Sequence, residues 1–170
     1  MQQLISDLLQ YSRVGTKGKP FVDVPLNDVI NRVKEDLSLV ILEKRADIMV
    51  DDLPIIIADE SQMRQLWQNL IGNALKFSNT LKPEIKITCQ DKKEAWEFCI
   101  EDNGIGIDKD FAHKVFVIFQ RLNSRDEYPG TGIGLAVCKK IVERHNGKIW
   151  FESEPGKGTK FYFTISKKLI

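Results

Sequence analysis

Two clusters of glycine bracket one stretch of this chain and limit what it can fold into more than any other feature. The stretch opens with Glu101-Asp102-Asn103-Gly104-Ile105-Gly106-Ile107-Asp108 and closes with Gly130-Thr131-Gly132-Ile133-Gly134-Leu135, and little helical or strand periodicity lies between. It reads as a flexible lid hinged at both ends. Five of the eleven glycines fall between 104 and 134. Glycine lets the chain take φ > 0 and lets backbone N–H groups come close to a phosphate. One glycine pair marks a tight turn more often than a ligand. Two clusters, one at each end of an aperiodic segment, point to a nucleotide site.

Charge bears on how such an anion would be held. Twenty-five Lys and Arg against twenty-four Asp and Glu leave a net charge of +1. No global field favours nucleic acid or an anionic membrane surface, so phosphate must be bound locally. Cys89, Cys99 and Cys138 are odd in number, lack C-x-x-C spacing and read as buried thiols of a cytoplasmic protein. No run of eighteen apolar residues and no basic segment leading into an apolar core occurs, so this domain is not expected to touch a membrane directly.

Leu4, Ile5, Leu8 and Leu9 recur at helical spacing within Met1 to Val14, a stripe too short to stand alone in water, and it reads as the end of a longer helix. Residues 15–20 (Gly-Thr-Lys-Gly-Lys-Pro) break that period as a linker, and the main domain begins near Phe21. Val29, Ile30, Val33, Leu37, Val40 and Ile41 predict one amphipathic helix ending near Arg45. Ile48–Val50 and Ile55–Ala58 are short strands expected to pair with each other. Asp59, with Gln62 three residues on, forms a capping-box signature for a helix to about Ser78. Glu84–Gln90 and Ala95–Glu101 alternate as a β-hairpin. Asp108 caps a short aromatic-rich helix, Phe111 to Arg121, and Thr131-Gly132 opens a helix to His145 that stops at Asn146-Gly147. Lys148–Glu152 and Thr159–Ser166 form a closing hairpin around Pro155-Gly156-Lys157-Gly158.

Two of these elements carry chemistry. On the helix after Asp59, the residues Met63, Leu66, Trp67, Leu70, Ile71, Ala74 and Leu75 make one apolar stripe, while Asn69, Asn73 and Lys76 share a different face. Two amide oxygens and an ammonium aimed the same way suit Mg²⁺ and phosphate, although a solvated polar face would look the same in isolation. In the second hairpin strand Trp96, Phe98, Ile100 and Asp102 share the buried side by period two. A carboxylate there requires a hydrogen-bonding partner, because an isolated buried charge costs several kcal/mol. An adenine amino group is one such partner; a structural Asp capping the turn at Asn103-Gly104 is the other reading. The unpaired N–H groups at Gly130 to Gly134, opening a helix, add an anion site.

Known phosphate-binding patterns narrow the choice. A P-loop is absent, since Gly147-Lys148 precedes Ile149 and Gly156-Lys157 precedes Gly158. The dinucleotide G-x-G-x-x-G pattern fails as well, with Lys109 or Leu135 where its third glycine belongs. The order of motifs resembles instead the catalytic ATP-binding domain of sensor histidine kinases, within the wider group of gyrase, heat-shock chaperone and mismatch-repair ATPases. Residues 65–78 look like the family's N-box, Asp102 to Ile107 its first glycine box, Phe116 to Leu122 its F-box, Gly130 to Leu135 its second glycine box and Gly156 to Phe161 its final motif. Residues 126–150 look like the phytochrome-like and PAS-linked members.

The resemblance implies an α+β fold: a two-layer sandwich with a mixed, mostly antiparallel sheet of about five strands on about three helices, the Bergerat ATP-binding fold, with an ATP lid. It implies that Asn73 holds Mg²⁺ with Asn69 nearby, Lys76 contacts phosphate, Asp102 reads the adenine amino group, and Gly104 and Gly106 shape its pocket. Gly130, Thr131, Gly132, Gly134 and Leu135 would cradle the phosphates, Arg121 would neutralise the leaving phosphate, Phe116 and Phe119 would anchor the lid, and Thr159 would complete the site. ATP and Mg²⁺ are the implied ligands. Residues 1–14 would end a dimerisation and phosphoacceptor hairpin, 15–20 would be the linker and 21–170 the catalytic domain. The implied partners are the chain's own histidine phosphotransfer domain, a second copy through those helices, and a response regulator receiver domain. Neither His113 nor His145 stands in an acceptor motif, and both read as structural or surface residues, so the piece would bind ATP without being a complete kinase. An ATPase clamp or an anti-sigma-type serine kinase are the alternatives; the clamp's catalytic Glu would fall where Gln65 and Asn69 stand.

Overall fold

The computed structural model describes residues 2–117 and 132–169. In chain order it contains α1 (Gln2–Thr16), β1 (Val22–Pro25), α2 (Leu26–Asp36), α3 (Ser38–Lys44), β2 (Asp47–Val50), β3 (Ile55–Ala58), α4 (Glu60–Lys76), β4 (Glu84–Asp91), β5 (Ala95–Asp102), a 3₁₀ turn (Lys109–Lys114), α5 (Gly134–Arg144), β6 (Ile149–Ser153) and β7 (Thr159–Ser166). Five strands make one sheet in the order β2-β4-β5-β7-β6, with β2 parallel to β4 and the other neighbours antiparallel. Helices α2, α4 and α5 pack together over the sheet, giving the expected two-layer α+β sandwich.

Period two decides which side of the sheet meets the helices. Thr159, Phe161, Phe163 and Ile165 of β7 are buried, and they lie beside Phe98 and Ile100 of β5. The α4 stripe is buried in full, and its Trp67 sets its ring edge on Phe98 (5.8 Å) and Phe163 (5.1 Å), which stack on each other at 5.1 Å. This aromatic triad joins the two layers. Phe163→Ala is expected to cost about 3–5 kcal/mol, the usual penalty for deleting a buried aromatic ring. Denaturant unfolding reads it directly, and a loss under about 1 kcal/mol would mean that the layers are held elsewhere.

Five local expectations differ from the structure. The helix predicted to Arg45 divides at Leu37, whose φ of −101° and ψ of 11° leave the helical region, into α2 and α3. The strands β2 and β3 do not pair with each other. β3 pairs antiparallel with β1, a four-residue strand too short to display its own alternation, while β2 lies parallel to β4. Parallel neighbours need a long crossover, and β3 plus α4 supply it. The aromatic helix expected from Phe111 is a 3₁₀ turn over Lys109–Lys114, capped as predicted by Asp108, whose carboxylate accepts from Asp110 N–H; residues 118–121 lie outside the described residues. Helix α5 starts at Gly134 rather than at 131–132. Of the three thiols only Cys138 is fully buried, since Cys89 and Cys99 are half-buried on strands. Among the described residues no helix is long and apolar enough to cross a membrane.

Candidate functional site

Helix α4 begins at Asp59, whose carboxylate accepts from Gln62 N–H at 3.2 Å. Only half of the expected capping box forms, because the Gln62 amide reaches Val14 O (2.9 Å) instead of returning to Asp59. From this start the helix buries its apolar stripe and leaves Asn69, Asn73 and Lys76 half-buried beside it. Asn69 Nδ2 donates to Gly134 O at 3.3 Å and thereby ties the polar face to the first turn of α5. Lys76 Nζ lies 5.2 Å over the Phe77 ring.

At the foot of α4 the chain after β5 is strapped into place. Phe77 O, just past the helix, accepts from Ile105 N–H at 3.0 Å. Ile105 O in turn accepts from Gly156 N–H at 2.8 Å, in the turn between β6 and β7. The Ser153 hydroxyl accepts from Ile107 N–H (2.7 Å) and donates to Gly158 O (2.8 Å), which leaves the Thr159 hydroxyl, 2.8 Å away, as its second donor. The glycines are what permit this density. A Cβ on Gly104 would stand 2.6 Å from Phe77 O, and one on Gly106, at φ +77°, would stand 2.1 Å from Glu154 O. Both glycines therefore have a packing reason as well as the ligand reason read from the sequence.

Asp102 sits at the centre of this strap. Its Oδ1 accepts from Gly104 N–H at 2.9 Å, and backbone at Thr159 also hydrogen-bonds the carboxyl group. Burial is nevertheless the larger influence and pushes its pKa up to about 6.

The other predicted residues fall around this arrangement. Gly132, at φ +77°, Gly134 and Leu135 lie at the start of α5, beside Asn69. Phe116 places its ring 6.2 Å from both Phe151 and Phe161, seating this part of the chain on the sheet. Thr159 is buried, its hydroxyl engaged by Ser153 next to Asp102. Arg121, Phe119, Gly130 and Thr131 lie outside the described residues. A lone serine at a strand end carries no sequence pattern, so the role of Ser153 is visible only in the fold. Of the two histidines, His113 is exposed on the 3₁₀ turn and His145 is buried. His145 Nε2 accepts from Asp59 N–H (3.1 Å), so Nδ1–H donates to Ile141 O (2.8 Å), and burial lowers its pKa; it is a neutral structural residue.

A mixed sheet layered on three helices, with an amide-bearing helix face leading into a glycine strap, is the architecture of the nucleotide-binding class described by the family model "Histidine kinase-, DNA gyrase B-, and HSP90-like ATPase", which matches residues 58–169. The chain belongs to that family. It is 47% identical over 165 residues to the phytochrome-like protein Cph1 of Synechocystis sp., a match covering 97% of this chain and 22% of that protein. Among solved structures it is similar to full-length ShkA in complex with AMPPNP (TM-score 0.79, 27% identity, 95% of this chain and 35% of that one). It is also similar to histidine kinase ThkA in complex with the response regulator protein TrrA (TM-score 0.76, 26% identity, 99% and 47%). The chain spans about a fifth of the length of Cph1 and of the similar cyanobacterial phytochrome A of Nostoc sp..

Proposed function

We propose that this chain is the ATP-binding catalytic domain of a sensor histidine kinase, working in the cytoplasm. It binds Mg²⁺-ATP and donates the γ-phosphate to a histidine on an adjoining dimerisation domain, for relay to an aspartate of a response regulator. The observation that carries this reading is the continuity of two faces. The helix bearing Asn69, Asn73 and Lys76 ends at Phe77, and Phe77 O holds the loop on which Asp102 and its glycines stand. One end of a nucleotide would meet a carboxylate acceptor and the other would meet amide oxygens and an ammonium. The family membership, the AMPPNP bound to ShkA and the regulator bound to ThkA support the same reading.

In this reading Asp102 accepts from the adenine amino group, and Gly104 and Gly106 keep the pocket floor free of side chains. Asn73 is the Mg²⁺ ligand with Asn69 near it, Lys76 meets phosphate, and Gly132, Gly134 and Leu135 offer backbone N–H groups at the start of α5. Arg121, Phe119, Gly130 and Thr131 keep the roles that the resemblance implies for them, and Thr159 steadies Asp102. Neutral amide oxygens fit Mg²⁺, a hard cation that takes few protein ligands and completes its shell with water and nucleotide phosphate. When bound, the ion would neutralise phosphate charge as transfer proceeds. The clamp alternative is less well supported: Gln65 donates to Gln10 Oε1 (3.0 Å) and Asn69 to Gly134 O, and neither amide is a base. The helix α1 is then the end of the dimerisation hairpin and residues 15–20 its linker.

Asn73→Ala tests the metal half of the assignment. Titration calorimetry should show the Mg²⁺-dependent part of ATP affinity reduced by roughly tenfold or more, the scale of one lost charge-assisted contact. Adenosine affinity should stay within about twofold, since that end of the site is untouched. Equal losses for both ligands would mean that Asn73 only supports the fold.

A further inference from the structure

A second buried polar cluster lies at the start of α4, the opposite end of that helix from Lys76 and Phe77. Asp59 is fully buried, and its carboxylate takes the Ser61 hydroxyl (2.8 Å), the Lys19 N–H (2.7 Å) and Arg144 Nη1 (2.8 Å). Arg144, at the end of α5, also donates through Nη1 to Gln62 Oε1 (2.8 Å) and through Nη2 to Lys19 O (2.7 Å). Its guanidinium lies 4.6 Å over the ring of Phe21, which packs 4.9 Å from His145. A Cβ on Gly18 would stand 2.3 Å from Arg144 Cζ, so the guanidinium occupies the space that glycine leaves open. Both backbone groups of Lys19 are thus claimed by side chains of the catalytic domain, and a linker held in that way is not a free tether. Only Arg offers enough donors in one plane to clasp a carboxylate, an amide oxygen and a backbone carbonyl together.

This clasp lies where α1 joins the domain. The carbonyl of Val14 accepts from Gln62, and Lys140 Nζ donates to Tyr11 O (3.0 Å) while lying 4.3 Å over the Tyr11 ring. On the reading of α1 as the end of the dimerisation hairpin, we propose that Arg144 is a positioning residue for phosphoryl transfer. By clasping Lys19 and Phe21 against Asp59, it fixes the direction in which α1 leaves the domain, and so the angle at which the nucleotide face meets the acceptor helix. The lever arm makes the angle matter. At 1.5 Å per residue, the fifteen residues of α1 span roughly 22 Å, and a 10° turn at the base moves the far end by roughly 4 Å. In-line transfer tolerates far less than that.

The test compares wild type with Arg144→Met and Gly18→Ala, the second displacing the guanidinium from the linker side while leaving α5 intact. In each variant, amide hydrogen exchange at residues 17–21 should accelerate by roughly tenfold, as expected when charge-assisted hydrogen bonds are lost. ATP affinity should remain within about twofold, because the described partners of Arg144, namely Asp59, Gln62, Lys19 and Phe21, are not among the residues read as the nucleotide site. In the full-length parent chain, the rate of histidine phosphorylation should change by roughly fivefold or more, the sensitivity expected of a misplaced reacting group. Unchanged exchange at residues 17–21, or unchanged phosphorylation despite faster exchange, overturns the positioning role. A wild-type parent that binds ATP and transfers nothing counts instead against the kinase reading, and the two failures are thereby told apart.

Discussion

Asp102→Asn should lose roughly a hundredfold or more in ATP affinity, the cost of setting a buried donor against a donor, while the fold stays intact. The geometry gives the reason. Asp102 Oδ1 is already engaged by Gly104 N–H, and an asparagine that keeps that bond would present its NH₂ where the proposed adenine amino group would also donate. The free carboxylate is held against its preference, with burial pushing its pKa to about 6 from the ordinary 3.8. Because the folded pKa exceeds the unfolded one, the native state binds the proton more tightly. The stability this contributes is present below about pH 4 and is lost as pH rises through about 6. A ligand donor needs the ionised form, so wild-type ATP affinity should fall as pH is lowered from 7.5 to 5, whereas the Asn variant should show no such step. Calorimetry at several pH values, beside thermal unfolding, measures both. Affinity within a few-fold of wild type, with an intact melting transition, would remove Asp102 from the adenine site.

What the sequence disclosed, and what it did not, follows from the range of the interactions. Every residue of the α4 stripe predicted to be buried is buried, because a 3.6-residue period is written locally. The inward placement of Asp102 was legible for the same reason, as one more step of the β5 alternation. The break at Leu37 and the strand β1 were not, since a one-residue departure from helical dihedrals and a four-residue strand leave no period to count. Pairing was also hidden: β2 and β3 stand side by side in sequence, yet each finds its partner through the crossover and the β1 ribbon.

The site shows the same division. The residue types on α4 and the glycine clusters could be read as chemistry, but the reason for particular glycines could not. Gly106 is crowded by Glu154 and Gly158 by Asp102, approaches made across the fold that no spacing rule encodes. Gln62 illustrates the limit well. Its backbone N–H meets Asp59 as the capping signature predicts, while its side chain serves Val14 and Arg144, the latter 82 positions away. Residues 15–20 read as a linker because Gly, Lys and Pro break periodicity; spacing does not disclose that the helix runs on to Thr16 or that Lys19 is clasped.

The second large effect is all-or-none and concerns the reaction itself. Transfer needs a nucleophile within roughly 3–3.5 Å of the γ-phosphate and in line with it. The two histidines of this chain cannot meet that need: His145 is buried, with both ring nitrogens committed to Ile141 and Asp59, and His113 is exposed on the 3₁₀ turn outside any acceptor motif. The chain should therefore bind ATP and leave itself unlabelled, yet phosphorylate a separately supplied dimerisation hairpin carrying the acceptor histidine. Incubation with γ-labelled ATP and Mg²⁺, with and without the hairpin, measures this. The account predicts label on the hairpin alone, stable in base and labile in acid as a phosphohistidine is; label of that kind on the chain by itself, or none on the hairpin despite bound ATP, would contradict it.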